Sequence, residues 1–243
     1  MRAISLFSGI GGLDLGFERA GIQTVLQAER DPFCLKVLEK HWPDVERVDD
    51  VRKVGAWVKD KWEIDLIYGG DPCQANSNAA RHGTLQEPLG GEFIRVIDEI
   101  RPKLVLRENP GVVRKAAPWP WYRFKQSLED LGYLVLPFRL RACCVGADHR
   151  RERMFLLAEL QDSNSPRLEG YVSEILEQAQ ALTSNCDIGR PSRWSATSRI
   201  SRGVDGLPNR MDRIRSLGNA VVPQVAEQIG RIINASSYDV RKD

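Results

Sequence analysis

The sequence predicts an α/β fold built on a mainly parallel sheet. Over the first 160 residues, short apolar runs of strand length alternate with amphipathic segments of helical period, the pattern of successive β-α-β units. The apolar runs also end in glycines, acidic residues or a proline turn, which places polar chemistry along one edge of the sheet. A length of 243 residues, 42% of them hydrophobic, can bury the core of one such domain with a small appendage.

The elements follow in order. Ala3 to Phe7 reads as the first strand and Leu13 to Ala20 as a helix, joined by a glycine-rich turn. Thr24 to Ala28 is the second strand, and Pro32 to His41 a helix with proline near its start, where its missing N–H costs nothing. Leu66 to Tyr68 is a buried strand, Gly91 to Ile100 a helix, Lys103 to Leu106 a strand ending at Arg107-Glu108-Asn109-Pro110, and Tyr122 to Leu131 a helix. Leu134 to Arg139 and Arg153 to Ala158 form a last pair of strands, antiparallel because the link is too short for a helical crossover. Periodicity then fades into Ser, Asn, Gly, Pro and Arg, with one helix at Val172 to Ala181. Ordered sequence returns at Ser216 and leads into a helix carrying Val225, Ile229 and Ile232, with a frayed tail after Asn234. The expected organisation is a cofactor-binding and catalytic region over 1–160, a short irregular insert over 161–207, and a C-terminal segment over 208–243 that returns to the first region.

Charge and cysteine usage narrow the function classes. No apolar run is long enough to span a bilayer and Ala3 to Phe7 is too short for a signal sequence, so a cytoplasmic protein is expected. Five cysteines without C-x-x-C spacing point to reduced thiols, and three scattered histidines give no support for a metal. Net charge is only +2, but seven arginines (190, 193, 199, 202, 210, 213 and 215) crowd the end of the insert. Arginine without lysine suits bidentate contacts to phosphates or base edges, although a solvated surface has the same composition.

The chemistry gathers at strand ends. Phe7-Ser8-Gly9-Ile10-Gly11-Gly12, followed by Leu13, lets a ligand approach the backbone closely. Glu29 closes the second strand, where it can accept hydrogen bonds from ribose hydroxyls, and Asp50-Val51 ends the next short segment, where Asp50 can take an exocyclic amine. Gly69-Gly70-Asp71-Pro72-Cys73-Gln74 puts a thiol on a tight turn directly after a buried strand, with side-chain bulk cleared around it. Glu108 follows another strand, and Arg151 and Arg153 fall on one face of an extended segment so that both can point into the cleft.

In this order the motifs resemble those of the cytosine-C5 methyltransferases, which move a methyl group from S-adenosylmethionine to carbon 5 of cytosine in DNA. Phe7 to Gly12 resembles the cofactor loop, Gly70 to Gln74 the Pro-Cys-Gln motif, Glu108-Asn109 the Glu-Asn motif, His149 to Arg153 the Gln-x-Arg-x-Arg motif and Gly218 to Val221 the closing motif. The resemblance implies a Rossmann-like S-adenosylmethionine-dependent fold with a small target-recognition insert. It implies that Cys73 adds to carbon 6 of a flipped-out cytosine, that Glu108 holds or protonates ring nitrogen 3, and that Arg153 contacts the base oxygen while Arg151 orients nearby groups. It places Phe7, Ser8, Gly9, Gly11, Gly12, Leu13, Glu29, Asp50, Val51 and Asn219 around the cofactor, Phe7 stacking on the adenine. The implied partner is double-stranded DNA, bound by a monomer associated with the nucleoid. A transfer-RNA cytosine methyltransferase and a silent DNA-binding homologue are the alternatives.

The pattern breaks at four residues and in the length of the insert. Asp71 and Asn76 stand where the family usually has aromatic residues, and a carboxylate near Cys73 raises the thiol's pKa unless Asp71 points away or is held by Asn76 or Arg81. His149 replaces the usual glutamine and Pro110 the usual valine, and the insert is shorter than the family's recognition region.

Overall fold

The computed structural model describes residues 1–72, 89–110, 119–147, 149–161 and 210–238, together with residues 173 and 177. Its strands are β1 (Arg2–Leu6), β2 (Gln23–Ala28), β3 (Glu46–Val48), β4 (Leu66–Gly69), β5 (Leu104–Pro110), β6 (Tyr133–Arg141) and β7 (Glu152–Leu160). They form one sheet in the order β3-β2-β1-β4-β5-β7-β6. The first five are mutually parallel, and β7 runs antiparallel to both β5 and β6. The chain winds outward from β1 through β2 to β3, then crosses back to β4, so the switch point lies between the C-terminal ends of β1 and β4. That crevice is flanked by the glycine turn after β1 and the Gly70-Asp71-Pro72 turn after β4.

Side chains alternate across the sheet into two cores. Tyr68, Leu106, Phe155 and Leu157 pack on one face with Leu13 and Phe17 of α1 (Gly12–Arg19) and Val225, Ile229 and Ile233 of the C-terminal helix. Ile67, Val105 and Leu156 pack on the other with Phe93 and Ile97 of α3 (Gly90–Ile100) and Phe124 and Leu128 of α4 (Trp119–Asp130). Local signals explain the borders. The side chain of Asp31 accepts hydrogen bonds from the amides of Phe33 and Cys34 and starts α2 (Pro32–His41), with Pro32 in the first turn. β6 buries alternate residues and tolerates Pro137 because it is an edge strand.

Three features depart from the sequence expectation. β5 continues through Pro110 instead of ending at Leu106, because β7 pairs with it to the register Pro110↔Arg153. An additional helix, α5 (Arg210–Asn219), occupies the end of the arginine-rich stretch. Its Ser216 is buried beside the Cys34 thiol, 3.6 Å away, and Arg215 pairs with Asp31 at 2.5 Å, so this arginine is committed within the protein. The last helix, α6 (Pro223–Tyr238), runs past Asn234.

α6 crosses α1 where glycines remove side-chain bulk. A Cβ on Gly230 would lie 2.7 Å from both Phe17 and Ala20, and one on Gly16 would collide with the Pro223 carbonyl and Ala226. Cys34 and Cys144 are free and buried. Residues 173 and 177 of the expected 172–181 helix are helical; the rest of the 161–207 insert beyond residue 161 lies outside the described residues.

Candidate active site

Glu108 and Arg153 meet because of strand register. Glu108 faces Phe155 across the antiparallel pair, and Arg153, two residues earlier, lies diagonally on the same face. Nε of Arg153 is 2.8 Å from Oε1 of Glu108, and both side chains are largely buried. A Cβ at Gly70 would stand 2.7 Å from Oε2 of Glu108, so a larger residue there would displace this carboxyl. Burial pushes the Glu108 pKa up to about 7, against the pull of Arg153, Arg151 and Arg107, while Asp71 adds to the rise. A carboxylic acid half-protonated near neutrality, beside a fixed guanidinium, can donate to a ring nitrogen and receive the proton back.

Arg151 does something different from the expected extended pairing with Arg153. Its φ of 29° turns the chain just before β7, where an extended residue would continue the alternation. Its Nη2 donates to the carbonyl of Gly218 at 2.7 Å and to that of Ala220, tying the closing motif to the strand that carries Arg153. Burial lowers its pKa, and neighbouring Arg153 lowers it further.

The predicted cofactor residues surround the end of β1. Phe7 adopts a left-handed φ of 56° and packs against Phe93 with ring centroids 6.1 Å apart. The Ser8 amide donates to the Ala28 carbonyl, binding the ends of β1 and β2 together. Gly9 has a φ of 57°, and a Cβ there would meet nothing within 4 Å, so the space above it is open to a ligand. One oxygen of Glu29 accepts from the Gly9 amide at 2.6 Å, and the other from the amides of Arg30 and Asp31. Three of the roughly four acceptor positions of a carboxylate are thereby filled, and one is left for a hydroxyl. Asp50 caps a 3-10 turn over Val51–Lys53 through the Arg52 amide, with Val51 buried behind it. Gly11 and Gly12 are pressed against Trp42 and the Val221 carbonyl respectively, and Leu13 is buried. Asn219 is exposed at the end of α5. This open glycine turn, with a braced glutamate and an aspartate at adjacent strand ends, fits the adenosine of S-adenosylmethionine.

A cleft of about 460 Å³ lies beside this turn, lined by Ile10, Gly11, Gly12, Trp42, Arg151 and Val221 among others. It reaches neither Phe7, Glu29, Asp50 nor Asn219.

Cys73 lies outside the described residues, as do Asn76 and Arg81. The partner found for Asp71 is Arg107, with Nε to Oδ1 at 2.5 Å and Nη2 to Oδ2 at 2.7 Å. Sequence reading missed Arg107. The signal was there: one arginine set after the apolar run Leu104-Val105-Leu106, level with an aspartate after the neighbouring strand.

Comparison with known proteins agrees with the fold and the motifs. The sequence model of the C-5 cytosine-specific DNA methylases matches residues 1–201. The type II methyltransferase M.FnuDI of Fusobacterium nucleatum is 35% identical over 173 residues, covering 70% of this chain and 50% of that protein. M.AquIA of a Picosynechococcus species is 34% identical over 175 residues, covering 64% of this chain and 71% of that protein. The chain thus spans about half the length of the first of these relatives. Among solved structures, an E. coli prophage-encoded DNA modification methyltransferase superposes over the whole of both chains with a TM-score of 0.66 at 20% identity. DNMT2 of Spodoptera frugiperda matches 68% of this chain and 51% of its own with a TM-score of 0.59, also at 20% identity. These likenesses identify the architecture as the Rossmann-like methyltransferase fold. With the family match over residues 1–201, the chain belongs to the C-5 cytosine-specific DNA methylases.

Proposed function

We propose that the protein transfers a methyl group from S-adenosylmethionine to carbon 5 of cytosine in duplex DNA. The observation that carries this is the buried Glu108–Arg153 pair, held at 2.8 Å beside the turn that leads into Cys73. S-adenosylmethionine supplies an electrophilic methylsulfonium; the protein's part is to make carbon 5 nucleophilic. Cys73 adds to carbon 6, and Glu108, partly protonated near pH 7, meets the charge that builds on ring nitrogen 3. Arg153 keeps the carboxyl oriented and offers its remaining donors to the base oxygen. Arg151 holds the Gly218–Ala220 segment, and with it Asn219, at the cofactor side. Elimination then frees Cys73 after loss of the carbon 5 proton. Phe7, Ser8, Gly9, Gly11, Gly12, Leu13, Glu29, Asp50, Val51 and Asn219 form the cofactor site, and 161–207 is the target-recognition region. The protein acts as a monomer on cytoplasmic, nucleoid-associated DNA in a modification system like those of its type II relatives.

The test is transfer of labelled methyl groups to duplex DNA and to transfer RNA. Incorporation into duplex DNA at carbon 5, lost in Glu108→Ala, is expected. Incorporation into transfer RNA alone would assign the RNA reaction, and none into either would assign a binding protein.

A further inference from the structure

Arg215 reaches the end of β2 through one aspartate. Its Nη2 donates to Oδ2 of Asp31 at 2.5 Å, and it also lies 3.4 Å from Oδ1 of Asp212, three residues earlier on α5. The other oxygen of Asp31 accepts from the amides of Phe33 at 2.8 Å and Cys34 at 3.2 Å, which closes the first turn of α2. With that turn closed, the Asp31 amide is directed back at Glu29. It donates to Oε1 of Glu29 at 2.7 Å, beside the Arg30 amide at 2.8 Å. Oε2 of Glu29 takes the Gly9 amide, and the Glu29 backbone is fixed to β3 by its own N–H on the Val48 carbonyl. A continuous chain of contacts thus runs from α5 through Asp31 and Glu29 to the glycine turn. Next to it, the Ser216 hydroxyl lies 3.6 Å from the Cys34 thiol with both residues buried, so α5 is seated on α2 beside the pair.

α5 also leads into the closing motif. Arg215 lies about one helical turn before Asn219, and the carbonyls of Gly218 and Ala220 are held from β7 by Arg151. The Asp31–Arg215 pair therefore joins two segments distant in sequence, each carrying a proposed cofactor residue: Glu29 in one and Asn219 in the other. We propose that Asp31 and Arg215 are positioning residues for cofactor binding, a latch that sets the Glu29 carboxylate against the segment carrying Asn219. The proposal rests on the assignment of Glu29 and Asn219 to the cofactor site, and it goes beyond that assignment by giving a role to two residues outside it. Because 58% of the Arg215 side chain is exposed, the latch is weak and open to salt. It tunes affinity and does not decide whether the protein folds.

The experiment is calorimetric titration of the full chain, without DNA, with S-adenosylhomocysteine, the molecule left once the methyl group has been transferred. At about 50 mM NaCl, Arg215→Met is expected to weaken binding about threefold, the scale of an exposed ion pair. At about 1 M NaCl, where the screening length is only ~3 Å, its Kd should equal that of the wild type. Arg215→Lys should restore wild-type affinity, since one nitrogen makes the contact and the planar fork is not used. Asp31→Asn keeps a cap for α2 but loses the charge, so it should match Arg215→Met, and the double variant should be no weaker than either alone. Asp31→Ala removes the cap as well and should weaken binding about tenfold. A pair that only supports the fold would lower the melting temperature of these variants and leave their Kd at the wild-type value. Unchanged affinity in Arg215→Met, or losses that multiply in the double variant, would overturn the proposal. Tight binding by the wild type with no effect of the variants sinks the latch alone, whereas no binding by the wild type sinks the cofactor assignment beneath it.

Discussion

Glu108 shows how a single carboxyl acquires chemistry from its surroundings. Burial raises its pKa to about 7 from 4.5, so the neutral acid is present at physiological pH. A falling limb in kcat/KM with a midpoint near pH 7 is expected in the wild type, and Glu108→Gln should abolish that limb while lowering the rate roughly 100-fold or more. Asp14 offers a test on stability. It is buried and accepts from Gln27 Nε2 at 2.8 Å and from Ser5 Oγ at 3.1 Å, which ties α1 to β1 and β2; burial raises its pKa from 3.8 to about 6. The folded protein holds this proton more tightly than the unfolded chain does. The linked stability is therefore complete below about pH 4 and is lost as pH rises through about 6, a change of about 3 kcal/mol. Urea denaturation at pH 4 and pH 8 should show that loss in the wild type, and a smaller one in Asp14→Asn. The acid, the glycines and Arg153 were legible in the sequence because each sits in a motif of fixed order, whereas the turn at Arg151 was not. Arg107 carried a signal as a lone arginine after an apolar run, but its pairing with Asp71 emerges only once β4 and β5 are in register.

Among the elements, the turn before β7 and the crossing of α1 with α6 decide how the two halves of the cofactor site meet. Arg151 ties the Gly218–Ala220 carbonyls to β7, and its loss should loosen the segment carrying Asn219. Arg151→Met is expected to raise the KM for S-adenosylmethionine about tenfold with a smaller change in kcat, measured by steady-state methyl transfer. Gly16→Leu should destabilise the fold by more than about 2 kcal/mol, since even a Cβ there meets the Pro223 carbonyl and Ala226; thermal unfolding checks this. The strand and helix order was readable from periodicity, and α2 was placed to the residue because Asp31-Pro32 signals its start. α5 escaped notice because its sequence is rich in charge and has almost no apolar stripe. It is a helix through tertiary ties, the Arg215–Asp31 pair and the burial of Ser216 against α2.

At the scale of the molecule, the sheet order sets the residues proposed to bind the nucleoside, after β1, β2 and β3, along the same edge as Glu108 of β5 and Arg153 of β7. Among the described residues no helix is long and apolar enough to cross a membrane. DNA binding should weaken with salt, log K falling against log[salt] by about 0.9 for each phosphate neutralised, and the arginine-rich insert predicts a slope of several such units. That insert was legible only as composition, because sequence without periodicity does not specify how its side chains are arrayed.

The most direct measurement is covalent capture of the purified protein on duplex DNA containing 5-fluorocytosine in the presence of S-adenosylmethionine. A stable protein–DNA adduct, formed by the wild type and absent in Cys73→Ser, is the predicted result. No adduct with the wild type, or an equal yield from Cys73→Ser, would contradict attack by Cys73 on the target base.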